Sequence, residues 1–179
     1  MRALPALFAL LALLAAGCAT TTNAFVHLRP DYSDLPAEPL REVAAGIEEI
    51  VAEGRQEFAL DFGGDIVIDL PEIRQAVRTR AIRSELVSDL LDSGFAIEKN
   101  NGLLAIQRSS AYKKATNSRE RDRDALIVMG ENQNRWTIYE GLLKANNWPP
   151  RSLSAIQETF FLARVSLLTP GQQHEAAAP

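Results

Sequence analysis

Four polar side chains that could do chemistry lie close together in one stretch of the sequence. Glu131, Arg135 and Tyr139 recur every four residues, and Asn132 follows the first of them. On a helix this spacing puts them along one side. A carboxylate, a guanidinium and a phenol in a row can clamp a ligand or exchange protons, and Glu131 is the candidate base of a hydrolase. The commoner use of such groups is to satisfy buried backbone groups, which is the interpretation we favour.

The helix that must position these groups is predicted from Ser118 to about Asn146. Apolar residues recur along it at three- and four-residue spacing, so one face is expected to be buried against the rest of the domain. That face comprises Ala125, Val128, Met129, Asn132, Trp136, Tyr139 and Leu143. The alternating charges at residues 119–124 are expected to form its solvated first turns.

The back of the same helix carries a strip of small and polar residues. The strip comprises Gly130, Asn134, Thr137 and Gly141. Because glycine inside a helix costs about 1 kcal/mol relative to alanine, the two glycines indicate close approach by another backbone. That neighbour is either the chain's own terminal helix or a partner protein. Our hypothesis is that part of the strip docks a partner.

The N-terminus has the pattern of an exported, lipid-anchored protein. Residues 1–17 begin with a positive charge, continue with an apolar run too short to span a bilayer, and end in small residues before Cys18. Cys18 is the only cysteine in the chain, and the pattern resembles the lipobox of bacterial lipoproteins, whose cysteine is acylated. Ala19 follows, where lipoproteins of the inner membrane often carry aspartate. The resemblance therefore implies an outer-membrane anchor with the protein facing the periplasm; ordinary secretion is the alternative.

Charge and composition argue against several functions. The chain has 19 Lys and Arg against 23 Asp and Glu, a net charge of −4, and no basic stretch that would suit nucleic acid. The two histidines, His27 and His174, lie in the predicted tether and tail, which leaves none for a triad or metal site. Asp61, Asp65 and Asp69 lack the ligand spacing of a calcium loop and are predicted to be solvated. We expect no metal, no cofactor and no enzymatic activity.

The sequence predicts one folded domain between flexible ends. Residues 18–38 are rich in threonine and then in proline and are predicted to form a tether. Residues 39–168 are predicted to form a single globular domain, and residues 169–179 a disordered tail. The last helix, after Ser152, is apolar on two faces and is expected to be sandwiched in the core or to offer one face to a partner.

The domain is predicted to be α+β and mainly helical, with three to four helices packed on one or two β-hairpins. Two further helices are predicted over residues 39–53 and 71–93. On the first of them Glu48 is expected to point away from the core. On the second, Arg80 and Arg83 approach the apolar side, so each is expected to find a carboxylate rather than a free anion.

Alternating apolar residues predict hairpins over residues 58–70 and 95–106. In the second hairpin, Asn101-Gly102 suits a two-residue type I′ turn. Pairing across that turn puts four side chains on the face that is expected to cover the long helix. They are Phe95, Ile97, Leu104 and Ile106. Residues 109–117 are predicted to be a polar loop.

Residues 74–168 carry a family resemblance. The matching positions are Gly94, Glu98, Gly102-Leu103, Arg123, Val128, Glu131-Asn132, Arg135, Tyr139 and Ala145-Asn146. With this spacing the chain resembles the YdbL family of small bacterial envelope proteins, a domain of unknown biochemical activity. Members are exported and are thought to accompany envelope proteins linked to lipid traffic between membranes. The resemblance implies an assembly role and brings no catalytic residues with it.

These observations lead to one expected function and two alternatives. The expected function is that of a lipid-anchored envelope protein acting as a protein-interaction or assembly factor, with another envelope protein as partner. The first alternative is a binding module that holds a lipid or other apolar ligand between hairpin and helices. The weaker alternative is a hydrolase that uses Glu131.

Overall fold

The computed structural model of the protein describes residues 29–62 and 64–177. Cys18 and His27 lie outside these residues, as does the signal segment. Within them the chain forms five α-helices and one two-stranded antiparallel hairpin, which is the mainly helical α+β fold predicted. The elements are α1 (Ala37–Ala52), α2 (Pro71–Asp92), β1 (Ala96–Glu98), β2 (Leu104–Ile106), α3 (Ser110–Ala115), α4 (Ser118–Ala145) and α5 (Leu153–Leu167), with a 3-10 turn at Pro150–Ser152.

The long helix α4 forms where it is predicted. Its start is fixed by a capping box in which Asn117 Oδ1 accepts a hydrogen bond from Glu120 N, and Glu120 Oε2 accepts one from Asn117 N. Its buried face is rotated from the predicted one, since Met129 is exposed whereas Val128 and Tyr139 are buried as predicted. The face that is buried comprises Asp124, Ile127, Val128, Glu131, Arg135, Ile138, Tyr139, Gly141 and Leu142. Because charged residues lie within it, apolar periodicity alone does not mark this face.

The two glycines of α4 face α2. A Cβ atom on Gly141 would lie 2.8 Å from Ile73 Cγ1, and one on Gly130 would lie 3.1 Å from Arg83 Nη2. The close neighbour of the glycines is therefore α2 and not the terminal helix, and no partner protein is needed to explain these two positions. The other strip residues are partly exposed, and their side chains bond back to carbonyls within α4. They are Asn134, bonded to Gly130 O, and Thr137, bonded to Gln133 O.

The hairpin at residues 95–106 forms with a longer loop than predicted. Lys99 N donates to Leu103 O over 2.8 Å, and Gly102 N donates to Lys99 O over 2.9 Å. Of these turn residues, all of which the structure describes, Gly102 alone has a positive φ, 78°. A type I′ turn needs positive φ at both central residues, so the predicted two-residue turn does not form.

The longer loop changes the register of β1. Glu98 pairs with Leu104, and Ala96 pairs with Ile106. Since a one-residue shift turns a strand over, Ala96 and Glu98 face inward in place of the predicted Phe95 and Ile97. The prediction for β2 is correct at Leu104, which is buried. The shift brings the carboxylate of Glu98 into the interior.

The hairpin predicted at residues 58–70 does not form. None of the described residues in this range lies in a strand. The segment runs from α1 to α2 as an irregular connection with Leu60, Ile66 and Ile68 buried in the core. The Asn146 side chain takes the place of a strand partner: its Oδ1 accepts from Val67 N over 2.7 Å, and its Nδ2 donates to Val67 O over 2.9 Å. The alternation therefore reports alternate burial rather than strand pairing.

Residues on both sides of the predicted domain pack onto it. Leu35 is buried and the Tyr32 hydroxyl donates to Glu158 Oε2 over 2.7 Å, so residues 29–36 are not part of a free tether. Residues 169–177, predicted to be disordered, run beside β1. We call this segment the strap.

Two further predictions near α4 are corrected. A short helix, α3, replaces part of the polar loop predicted at residues 109–117. Its Tyr112 is buried, packs against Phe95 with ring centroids 5.1 Å apart, and donates to Asp124 Oδ2 over 3.2 Å. Asp124 is therefore buried rather than solvated.

The core consists of two apolar clusters. The larger lies among α1, α2, α4 and α5 and includes Leu40, Ile47, Ile73, Ile138 and Phe160. The smaller lies under the hairpin and includes Leu90, Leu91, Ala96, Leu104 and Ile127. In α5, Phe161 is buried as well as Phe160, as expected for a sandwiched helix. Within the part of the chain that the structure describes, no helix combines the length and apolar character needed to cross a membrane.

Candidate functional site

Six buried charged residues of alternating sign form a closed ring inside the domain. In order around it they are Glu48, Arg80, Glu131, Arg135, Glu98 and Arg164, none more than 6% exposed. We call this set the ring. Four helices and β1 supply its members, so most of the fold is needed to assemble it.

One half of the ring joins α1, α2 and α4. Arg80 binds Glu48 through two parallel hydrogen bonds, Nη1 to Oε1 at 3.0 Å and Nη2 to Oε2 at 2.8 Å. Arg80 Nε also donates to Glu131 Oε1 over 2.7 Å. The planar guanidinium suits this two-sided contact, which a lysine could not make.

The other half joins α4, β1, α5 and α1. Arg135 Nε donates to Glu131 Oε1 over 2.8 Å, and its Nη1 and Nη2 donate to the two oxygens of Glu98 over 2.7 and 2.8 Å. Arg164 Nε donates to Glu98 Oε2 over 3.1 Å. Arg164 Nη1 closes the ring on Glu48 Oε1 over 2.9 Å.

The hairpin turn is held on the ring through one carbonyl. Gly102 O accepts hydrogen bonds from Tyr139 Oη and from Arg164 Nη2, each over 2.8 Å. A Cβ atom at Gly102 would lie 3.0 Å from Gln157 O, and φ is positive there, so glycine suits both the turn and the close approach. Tyr139 thus serves as a donor to backbone.

Asn132 holds β2 against α4. Its Oδ1 accepts from Leu104 N over 2.8 Å, and its Nδ2 donates to Leu104 O over 2.9 Å. Both backbone groups of Leu104 are therefore satisfied by one side chain. This confirms that Asn132 satisfies backbone at the edge of the hairpin.

The charges of the ring lower the pKa values of its carboxyl groups. Burial acts to raise the pKa of Glu131, but Arg80 and Arg135 outweigh it and lower the pKa to about 2. Burial and neighbouring arginines compete in the same way at Glu48 and Glu98, whose pKa values are also lowered. The three carboxylates are therefore ionised at neutral pH, and a base with so low a pKa is a poor proton acceptor there.

One edge of the ring has incompletely matched polar atoms. Glu131 Oε2 and Arg83 Nη1 are buried and have no hydrogen-bond partner among the described residues. They lie 3.7 Å apart, so they attract each other without forming a hydrogen bond. The predicted ion pair is thus fully formed at Arg80 and only loosely at Arg83.

A cavity of about 230 Å³ lies over one side of the ring. Its polar wall contains Glu48, Arg80, Glu98 and Arg164. Its other wall includes Leu167, Leu168, Thr169 and Gln172, from the end of α5 and the strap. Among residues 29–62 and 64–177, no group of three His, Cys, Asp or Glu side chains could hold a metal ion.

The sequence identified part of this cluster. Glu131, Asn132, Arg135 and Tyr139 do lie together, as their spacing predicts. Glu48 was expected to point away from the core and is buried, and Arg164 was not predicted to belong to the site. The signal for Arg164 is its position in the apolar run Phe160–Val165, where a charge needs a buried partner. Glu48 gave no such signal, because it is bordered by Glu49 and was assigned to the polar side of α1.

The chain matches no protein-family model, and comparison with curated proteins and with solved structures gave no significant match. The function has to be inferred from geometry and chemistry. Several positions on which the YdbL resemblance rests do meet in and around the ring. They are Glu98, Gly102, Glu131, Asn132, Arg135 and Tyr139.

Proposed function

We propose that the protein is a lipid-anchored envelope protein, held at the outer membrane through Cys18 and facing the periplasm, that acts as a protein-interaction or assembly factor. The observation that carries the proposal is an exposed apolar patch on the outer side of the α2–α4 pair. The patch comprises Ile82, Leu86, Leu126 and Met129, which are 60%, 47%, 68% and 66% exposed.

The packing of α2 on α4 sets Leu86 and Leu126 at the same level of the helix pair. Arg83 lies against Gly130 and Ile73 lies against Gly141, so the helices run in opposite directions. Leu86 is one turn beyond Arg83, and Leu126 is one turn before Gly130, so they lie at the same level of the pair.

An exposed cluster of large apolar side chains is typical of a surface that contacts another protein. The ring supports the same proposal, because its charged side chains form ion pairs with one another and join five elements of the fold. The interior polar groups therefore serve stability, and the surface is what the domain offers to other molecules. The YdbL resemblance supports the same class of function.

The test is site-specific photo-crosslinking in cells that produce the protein. A crosslinker at Met129 should capture a defined envelope protein, and the capture should be lost when Leu86 and Leu126 are changed to lysine. The matched control is a crosslinker at Leu162, which is 45% exposed on α5. Equal capture from both positions, or capture that survives the lysine changes, would count against the patch.

A lipid or other apolar ligand is the alternative occupant, since Val51, Leu91, Leu167 and Leu168 line the cavity over the ring. The cavity volume of about 230 Å³ is below the roughly 300–1,000 Å³ usual for small-molecule sites, so this cavity is small for a lipid. Native mass spectrometry of gently purified protein separates the two, because a stoichiometric co-purifying lipid would favour the alternative. The lowered pKa of Glu131 gives the hydrolase little support.

A further inference from the structure

The free edge of β1 is occupied by the chain's own strap. Glu98 N donates to Gln173 O over 3.1 Å, and Glu175 N donates to Glu98 O over 2.9 Å. His174 and Glu98 thus form a parallel bridge. The other edge of β1 is paired with β2. The strap therefore adds a third strand position to the hairpin.

The strap is held mainly by polar contacts near the surface. Glu175 forms an ion pair with Lys99, and its Oε2 accepts from Asn100 N over 3.2 Å. Gln172 Nε2 donates to Asp92 Oδ1 over 2.8 Å. None of residues 169–177 is buried. A segment with so few buried apolar contacts opens at a much lower free energy than the core does.

Opening of the strap would leave a strand edge ready for another chain. Glu98 N and O would lose their partners, and unpaired edge groups are the template for strand addition. Beside them, Lys99 Nζ and Asn100 N would be left as a pair of donors suited to a carboxylate. The backbone groups of this edge determine the direction in which an incoming strand can pair with β1. The two donors favour an acidic side chain on that strand.

We propose that this edge of β1 is a docking site for an extended, acidic segment of a partner protein, which adds parallel to β1 in the register of the strap. In the absence of a partner, the strap of the same chain covers this site. The proposal rests on the interaction function proposed above and adds a second surface, distinct from the apolar patch. A short tether gives the strap an effective concentration of about millimolar, so a partner segment must bind well or be presented locally to displace it.

The first measurement is hydrogen exchange at single amides in the full-length mature protein. Glu175→Pro removes the N–H that bonds Glu98 O, and should speed exchange at the Glu98 amide at least about tenfold. The Lys99 amide is the internal control, because it bonds Leu103 O inside the hairpin. Ala176→Pro is the matched control variant, since the backbone bonds to β1 come from residues 173 and 175.

The second measurement adds a synthetic peptide of residues 169–177 in trans. It should bind the Glu175→Pro protein at least about tenfold more tightly than the wild type, where the strap competes. Binding should restore slow exchange at Glu98. A peptide with lysine in place of Glu175 should bind more weakly.

Two results would overturn the proposal. One is an unchanged Glu98 exchange rate in Glu175→Pro, which would mean that the strap does not protect the edge. The other is peptide binding that is absent, or equal in wild type and variant. Neither result depends on the apolar patch, because the probe is a peptide and no envelope partner is present. Failure of the photo-crosslinking at Met129 can therefore be told apart from failure here.

Discussion

Arg135 Nε donates a hydrogen bond to Glu131 Oε1 one turn earlier on α4, over 2.8 Å. The same oxygen accepts from Arg80 Nε of α2 over 2.7 Å. A single buried oxygen therefore joins two helices through two cations. Removing either arginine would leave the buried Glu131 with one bonded cation instead of two, and breaking a buried ion pair in this way is costly.

Arg135→Ala should lower the free energy of unfolding by about 3–5 kcal/mol, because it leaves Glu98 and Glu131 in the interior with one hydrogen-bonded arginine each instead of two. Urea denaturation measures the loss. Arg151→Ala is the control, since Arg151 pairs with Asp31 and Asp34 at the surface, where a pair contributes about 0–1 kcal/mol. A midpoint for Arg135→Ala equal to that of the control would contradict a stabilising role for the ring.

Stability should fall at acid pH. The pKa of Glu131 is about 2 in the folded protein, against an ordinary value of 4.5, so the folded state binds its proton less readily than the unfolded state. Its contribution to stability is complete above about pH 5 and is lost as the pH falls towards 2. Glu48 and Glu98 act in the same direction. Unfolding followed from pH 6 to 2 should show this decline, with a smaller slope in Glu131→Gln.

Asn132→Ala should release β2 from α4. It removes both hydrogen bonds to the Leu104 backbone, and an unsatisfied buried group costs about 1–3 kcal/mol. Thermal melting gives the stability, and exchange of the Leu104 amide reports the local loss. Asn134→Ala is the matched control on the same helix, because its amide reaches only Gly130 O among the bonds seen. Equal effects of the two changes would argue against the role of Asn132 in holding β2 on α4.

Gly141→Ala should be destabilising because its Cβ would lie 2.8 Å from Ile73 Cγ1. Overpacking of this kind costs about 1–3 kcal/mol. Ile73→Ala also destabilises alone, but the double change should cost less than the sum of the single changes. Strict additivity in denaturant unfolding would show that the two residues do not press on each other.

Cys18→Ser should abolish lipid attachment and release the protein from membranes. Membrane fractionation and metabolic labelling with palmitate measure both effects. Wild-type protein that carries no label, together with a variant that stays in the membrane fraction, would overturn the lipoprotein assignment.

The sequence was sufficient to predict the four longer helices, α1, α2, α4 and α5, but not the short helix α3 or the hairpin register. Capping and periodicity mark the ends of α2 and α4 because those signals are local. The turn after Lys99 is different, because one extra loop residue reverses β1 and the local sequence Asn101-Gly102 favours the shorter loop. What decides between them is non-local: the longer loop lets Glu98 reach Arg135 and Arg164.

The ring shows a similar limit. Arg80 could be assigned to a buried ion pair because it lies beside apolar residues. Glu131 and Arg135 were expected to satisfy backbone groups and instead pair mainly with charged side chains. Glu48 could not be assigned to the ion pair in this way. A glutamate next to a second glutamate is expected to be solvated until the position of Arg164 on a distant helix is known. The apolar alternation at Leu60, Ile66 and Ile68 correctly marked burial and wrongly suggested pairing, since an extended connection buries every second residue as a strand does.

The ring also has a consequence for how the chain acquires its structure. Arg164 bonds Glu48 across a sequence separation of 116 residues. The ring can therefore close only when both α1 and α5 are present. A chain that has been synthesised only as far as α4 lacks Arg164, so Glu48 and Glu98 each have one arginine partner instead of two and the ring is open. Closure of the ring should therefore wait until α5 has been synthesised, because the contact has a long sequence separation. For the exported lipoprotein proposed above, a closing step that waits for α5 would leave more time for the unfolded chain to be threaded across the membrane.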